Sequence, residues 1–170
     1  YSSIVQVDTD TYAIAYAGVD NDGFIATFTI SADGTSITEV ASLEHETAKS
    51  LYNSLVQVDT DTYALAYTGN NNDGYIATFT ISADGSSITE VDQLEHSTTN
   101  GEYNSLVKVD SDTYAVAYTG ASNKGFIATF TIAADGDNIT EVDQLQHSGQ
   151  GKHNSLVQVD ADTYVLAYKS

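Results

Sequence analysis

The residues best suited to bind a ligand are three dipeptides in which an aromatic ring precedes an asparagine. Tyr52–Asn53, Tyr103–Asn104 and His153–Asn154 occupy matching positions in a repeated sequence. An aromatic ring can stack on the apolar C–H face of a sugar, and an amide can hydrogen-bond to its hydroxyl groups. We therefore predict that Tyr52, Asn53, Tyr103, Asn104, His153 and Asn154 bind a ligand. The alternative is that each ring covers the edge of a packed unit while the asparagine closes a turn.

A second candidate is the element Asp-x-Asp-Thr-Tyr, which occurs four times in the chain. Paired carboxylates offer the oxygen ligands that calcium prefers. The same aspartates also suit tight turns, because their side chains accept hydrogen bonds from the nearby backbone. We predict turns and no cofactor, and calcium is the alternative. Its candidate ligands are Asp8, Asp10, Asp59, Asp61, Asp110 and Asp112.

Residues for catalysis are harder to find. His45, His96 and His147 each follow a glutamate or glutamine at the end of a predicted strand. One histidine per repeat does not supply the three or four convergent ligands of a metal site, so we predict that these side chains are exposed to solvent. No Gly-x-Ser-x-Gly motif for a nucleophile is present. The sequence therefore predicts that the protein is not an enzyme.

These residues are positioned by a repeat of about 51 residues. Gly18, Gly69 and Gly120 recur at this step, as do the three histidines. Such a period is typical of solenoids, propellers and repeat arrays. We divide the chain into repeats at 1–53, 54–104 and 105–154, followed by a truncated repeat at 155–170 that holds only a first hairpin.

Each repeat is predicted to contain four β-strands and no helix. In the second copy they are Leu55–Asp59, Thr62–Thr68, Tyr75–Ser82 and Ile88–Leu94, which are rich in β-branched and aromatic residues. Short turns of Asp, Asn and Gly separate them, so the strands form an antiparallel meander. Residues 95–104 are predicted to link one unit to the next.

Side-chain alternation predicts that both faces of each sheet are covered. In the second strand Tyr63, Leu65 and Tyr67 share one face, and Ala64 and Ala66 share the other. A sheet with one solvent-exposed face would alternate apolar and polar residues. Bulky residues on one face and alanines on the other favour stacked sheets.

Four-stranded meanders joined by longer links resemble the blades of β-propellers. The resemblance covers the whole chain and rests on architecture, because neither a Trp-Asp dipeptide nor a kelch-type Gly-Gly pair is present. The predicted fold class is all-β, with tandem four-stranded antiparallel meanders as propeller-like blades. A β-trefoil or an open β-repeat array is the alternative. Several repeat-built propellers are lectins, so the resemblance implies a lectin-like role.

Composition excludes several kinds of partner. Five lysines, no arginine and 24 acidic residues give a net charge of -19. Such a chain repels nucleic-acid phosphates and anionic bilayers, and no apolar run is long enough to be inserted in a membrane. The absence of cysteine excludes disulfides and thiolate metal sites.

The predicted function is a non-enzymatic, extracellular or cell-surface module that binds several ligands at once, with glycans as its partners. The alternative is a structural or adhesive repeat that self-assembles and has no small ligand. Three units and a hairpin do not close a ring of four to eight blades, so we also expect self-association or further repeats.

Overall fold

A computed structural model describes residues 1–170 and consists of four antiparallel sheets. Blade 1 contains β1 (Ser3–Gln6), β2 (Thr11–Ala17), β3 (Gly23–Ile30) and β4 (Ile37–Glu46). Blade 2 contains β5 (Leu51–Gln57), β6 (Thr62–Thr68), β7 (Gly74–Ile81) and β8 (Ile88–Ser97). Blade 3 contains β9 (Glu102–Lys108), β10 (Thr113–Thr119), β11 (Gly125–Ile132) and β12 (Ile139–Ser148), and β13 (Lys152–Asp160) and β14 (Thr163–Lys169) form the last hairpin. The model contains no helix long and apolar enough to cross a bilayer.

The predicted meander is confirmed, although the first and last strands of blade 2 are longer than predicted. In blade 2, β5 begins at Leu51 and β8 ends at Ser97, which leaves only residues 98–101 as the link. The predicted boundaries after residues 53, 104 and 154 fall inside β5, β9 and β13. In blade 2, β5 remains paired with β6 on both sides of residue 53, because a β-bulge between Leu51 and Ser54 accommodates one extra residue in β5.

The loops between the second and third strands each contain a single 3-10 turn, although no helix was predicted. In blade 2 it spans Asn70–Asn72, with φ of 55° at Asn71 and 71° at Asn72. Asparagine tolerates this left-handed region better than most residues, which explains its presence here. The backbone N–H of Asp73 then closes the turn on Asn70 O at 2.9 Å.

The bulky face of each blade packs on the alanine face of the blade before it, as predicted. Tyr63, Leu65 and Tyr67 of β6 lie in one core cluster with Ala13 and Ala15 of β2. The opposite face of β6 contributes its alanines to the next cluster, together with bulky residues of blade 3. These β6 side chains are fully buried on both faces. The core is therefore a series of interfaces between sheets.

The blades converge at their first strands. β5 lies directly against β9, and β9 against β13, whereas the fourth strands touch each other much less. A serine hydroxyl marks each contact: the backbone N–H of Leu55 donates to Ser3 Oγ at 3.0 Å, and that of Leu106 to Ser54 Oγ at 2.9 Å. The first strands thus line the inner side of the array.

The histidines at the ends of the fourth strands are wedged between blades, so the prediction that they are exposed is wrong. The His96 side chain is 8% exposed, and its ring contacts Tyr118 and Phe130 of blade 3 at centroid distances of 4.8 and 5.7 Å. Neither ring nitrogen of His45 or His96 has a hydrogen-bond partner. The reason is that the end of each fourth strand is covered by the following blade.

Gly74 leaves space for the ring of His96. We therefore expect Gly74→Ala to destabilise the protein by about 1–3 kcal/mol through overpacking. An added Cβ would lie 2.6 Å from His96 Cε1 and 3.1 Å from Gly101 Cα. Urea denaturation measures the change. Gly149→Ala is the matched control, because nothing lies within 4 Å of its Cβ position. Equal stability of the two variants would contradict the packing account.

Candidate functional site

Four rings stand in a row where the blades converge, and we call them the aromatic ladder: Tyr1, Tyr52, Tyr103 and His153. Successive ring centroids are 4.5, 4.2 and 4.3 Å apart. Three of them lie on the first strands β5, β9 and β13, and Tyr1 lies just before β1. The repeat therefore places one ring of the ladder at the same point of each sheet.

The backbone of the ladder is strained. Tyr52, Tyr103 and His153 have φ of 54°, 57° and 54°, in the left-handed region that non-glycine residues seldom adopt. Each residue sits in a β-bulge of its first strand. Such a conformation costs about 1–3 kcal/mol per residue and is concentrated at functional sites, where a bulge redirects a side chain. The strain is thus an independent reason to regard the ladder as a site.

A pocket of about 220 Å³ opens beside the ladder. Its lining combines the four rings with Ser2 and three asparagines, and it includes no charged side chain. All six residues predicted as a ligand site, Tyr52, Asn53, Tyr103, Asn104, His153 and Asn154, are brought together here. Their role in binding stays a prediction.

The asparagines brace the bulges from within. Asn104 Nδ2 donates to Gly101 O at 3.0 Å, and Asn154 Nδ2 donates to Tyr103 O at 3.2 Å. Asn53 Oδ1 accepts from Ser50 Oγ at 2.8 Å. The side-chain oxygens of Asn104 and Asn154 are buried without a partner. The amide nitrogens are therefore engaged within the chain, and the rings remain as the groups that face the pocket.

The surroundings of the Tyr52 phenol make it a weaker acid than an ordinary tyrosine. Burial raises the pKa of Tyr52, and the neighbouring Tyr103 hydroxyl and the Glu102 carboxylate raise it further. A phenol in this state can donate a hydrogen bond to an oxygen that becomes negative during a reaction.

The paired aspartates lie in turns away from the ladder. Asp8, Asp59 and Asp110 each accept a hydrogen bond from the backbone N–H of the next residue, at 2.7, 2.8 and 2.7 Å. Asp10, Asp61 and Asp112 each accept from the hydroxyl of the following threonine. The chain contains no group of three or more His, Asp and Glu side chains placed to hold a metal ion.

The comparisons with known proteins identify the class and then the family. Stacked four-stranded meanders with converging first strands are the blades of a β-propeller, as predicted. The family described as lactonase, seven-bladed β-propeller matches residues 11–162. This match spans most of the chain, which therefore belongs to the lactonase family of seven-bladed β-propellers. A sequence search among curated proteins gives no match.

Solved structures agree on the fold. The NanB sialidase of Streptococcus pneumoniae superposes with a TM-score of 0.67 at 10% identity, over 97% of this chain and 26% of the sialidase. The periplasmic gluconolactonase of Pseudomonas aeruginosa has a TM-score of 0.65 at 15% identity, over 86% of this chain and 44% of that enzyme. At these identities the likeness concerns the fold alone. The chain spans less than half of either protein.

Membership of this family corrects the functional prediction. The sequence predicted a non-enzymatic binding module of the lectin type, or alternatively a structural repeat without a small ligand. It also predicted that the protein is not an enzyme. The lactonase match contradicts these predictions. No contiguous catalytic motif is present, so no local pattern of residues indicated an enzyme. A site built from one position on each of several blades would leave only a spaced pattern in the sequence, without a contiguous motif.

Proposed function

We propose that the full-length protein hydrolyses a lactone and that the aromatic ladder forms part of its substrate site. The observation that carries the proposal is the family match over residues 11–162. The ladder also supports the proposal. Its pocket lies where the first strands converge, so side chains from several blades can line one substrate site. A periplasmic or secreted location is part of the proposal, supported by the fold likeness to a periplasmic enzyme.

The chemistry of the ladder suits the opening of a cyclic ester. A water oxygen attacks the lactone carbonyl carbon, and the imidazole of His153 takes the proton that the water loses. The resulting tetrahedral intermediate carries its negative charge on the former carbonyl oxygen. The ring C–O bond then breaks, and the proton returns from His153 to the departing ring oxygen. The product is an open-chain hydroxy acid.

The tyrosines contribute binding and charge stabilisation. The Tyr52 hydroxyl is protonated near neutral pH, as phenols are, so it can donate a hydrogen bond to the oxyanion. Neighbouring rings can hold the C–H face of the lactone by stacking.

The proposal is tested by incubating the purified full-length protein with a panel of five- and six-membered lactones and measuring the acid released at constant pH. We expect turnover of at least one lactone at about 1–10³ s⁻¹, the usual range for enzymes. The heat-unfolded protein is the control. Acid release no faster than the uncatalysed rate with every lactone would refute the proposal.

A further inference from the structure

A buried hydroxyl group lies beside the backbone that carries the Tyr103 ring of the ladder. Thr68, at the end of β6, has no exposed surface, and its hydroxyl donates to Gly101 O. The same hydroxyl accepts from Asn104 Nδ2 at 3.3 Å. Gly101 precedes Tyr103 by two residues and Asn104 follows it directly, so these contacts enclose the ladder residue on both sides. We call Thr68, Gly101 and Asn104 the clamp of Tyr103.

A clamp of the same composition surrounds His153. The Thr119 hydroxyl donates to Gly151 O and accepts from Asn154 Nδ2 at 3.4 Å. Thr119 is also fully buried. The backbone N–H of Gly151 donates to Asn123 O at 2.9 Å, which ties the link to the preceding blade. Each clamp therefore joins the end of the second strand of one blade to the first strand of the next.

The link between blades 1 and 2 has its hydroxyl on the other side of the clamp. Ala17 stands at the position of Thr68 and has no hydroxyl, whereas Ser50 stands at the position of Gly101. The Ser50 side chain is fully buried, and its hydroxyl donates to Asn53 Oδ1 at 2.8 Å. Two positions on different elements thus differ together between the copies. Each clamp keeps one hydroxyl bonded to its asparagine, which indicates that this contact is the feature retained.

Packing explains why the hydroxyl changes sides. A Cβ at Gly101 would lie 2.3 Å from Gly74 Cα, and a Cβ at Gly151 would lie 2.6 Å from Gly125 Cα. The later links therefore have no room for a serine at this position. Their hydroxyl comes instead from the end of the second strand, which is also held between two blades.

We propose that Thr68 and Thr119 are positioning residues of the ladder, which hold the rings of Tyr103 and His153 in place. Both ladder residues have a left-handed backbone, with φ of 57° and 54°, and such a conformation persists only where its surroundings enforce it. The clamp provides this restraint, because it fixes the residues on both sides of each bulge. The effect on catalysis rests on the proposed function, whereas the effect on the position of the rings does not.

The two threonines hold different rings, so their loss should change different kinetic constants of the full-length protein. Thr68→Val displaces Tyr103 and should raise KM for a lactone about 2- to 10-fold, the contribution of one aromatic contact, with little change in kcat. Thr119→Val displaces His153, the proposed base, and should lower kcat about 10²-fold, the effect of a displacement of about 1 Å. A purely structural role would not divide KM from kcat in this way.

Two further variants serve as controls on β6. Thr68→Ser keeps the hydroxyl and should retain the wild-type KM. Thr62→Val removes another buried hydroxyl at the opposite end of the strand, where it bonds only to Asp61, and should leave both kinetic constants unchanged. The urea denaturation midpoint of each variant checks that it is folded under the assay conditions.

NMR spectroscopy of the full-length protein tests the position of the rings without catalysis. The His153 imidazole lies 4.3 Å from the Tyr103 ring, so its chemical shift depends on the ring current of that tyrosine. The resonance is assigned by its loss in His153→Tyr. Thr68→Val should move it, and Thr68→Ser and Thr62→Val should leave it in place.

The outcomes separate this proposal from the proposed function. An unmoved His153 resonance in Thr68→Val would overturn the positioning role, whether or not any lactone is hydrolysed. Equal changes of KM and kcat in the two valine variants would reduce the clamp to structural support and also overturn it. A moved resonance in a protein that hydrolyses no lactone would support the positioning role and refute the proposed function alone.

Discussion

Acidification from about pH 7 to about pH 4 is expected to lower the free energy of unfolding by roughly 6 kcal/mol through His45 and His96. Burial between blades lowers the pKa of each of these histidines from 6.5 to about 4. Each pKa unit corresponds to about 1.4 kcal/mol, so each histidine accounts for about 3 kcal/mol.

The sign follows from proton uptake. A histidine in the unfolded chain binds its proton as the pH falls through about 6.5, whereas the folded protein resists protonation of His45 and His96 until about pH 4. Between these values the unfolded state holds more protons, so stability falls as the pH falls. Above the unfolded pKa both states are neutral and the effect vanishes; below about pH 4 it levels off.

Urea denaturation at a series of pH values measures this dependence. The double variant His45→Phe/His96→Phe keeps a ring beside the aromatic neighbours and removes both titrating groups, so its stability should depend much less on pH in this window. Leu65→Val is the control, because Leu65 lies in the same core cluster and is not one of the aromatic rings that contact His45. If the double variant loses stability as steeply as the wild type, the buried histidines are not the cause.

Replacing His153 with tyrosine is expected to lower kcat for lactone hydrolysis by about 10²–10⁴-fold, the usual contribution of a general base. Tyrosine already occupies the matching positions 52 and 103, in the same left-handed conformation. His153→Tyr therefore retains a ring in the ladder and the backbone of β13, and it removes only the imidazole. KM should change little if stacking is what holds the substrate.

Tyr52→Phe, which keeps the ring and removes the hydroxyl that is proposed to donate to the oxyanion, separates charge stabilisation from stacking. Gln158→Ala, at an exposed position on the same strand as His153, is the control and should retain full activity. Wild-type kcat in His153→Tyr would exclude His153 as the base.

The features that the sequence predicted depend on local patterns. The alternation of Tyr63, Ala64, Leu65 and Ala66 indicates that both faces of the sheet are covered. The Asp-Gly turns indicate hairpins between the strands. The ring-and-amide pairs could be selected as a candidate site because three copies display them at matching positions, 51 and then 50 residues apart. Their grouping around a single pocket follows from the repeat once the sheets are stacked.

The remaining features depend on neighbours in space. Whether His96 is exposed is decided by blade 3, which covers the end of β8, and nothing in the residues around His96 reveals that contact. The left-handed backbone at Tyr52 and Tyr103 could not be predicted from the sequence either, because tyrosine seldom adopts that conformation. The strands were therefore predicted to start after these residues, and the pairs were placed in a link.

The short links between blades have a consequence for folding. The interfaces between blades repeat nearly the same residues. A newly formed sheet can therefore pack in the same way on its neighbour in the chain and on the equivalent sheet of another molecule. The choice is made by proximity: a tether of four residues, 98–101, holds blade 3 beside blade 2 at an effective concentration on the order of millimolar or more. We therefore expect each sheet to dock on its neighbour as it is synthesised, and refolding at high protein concentration to exchange blades between chains.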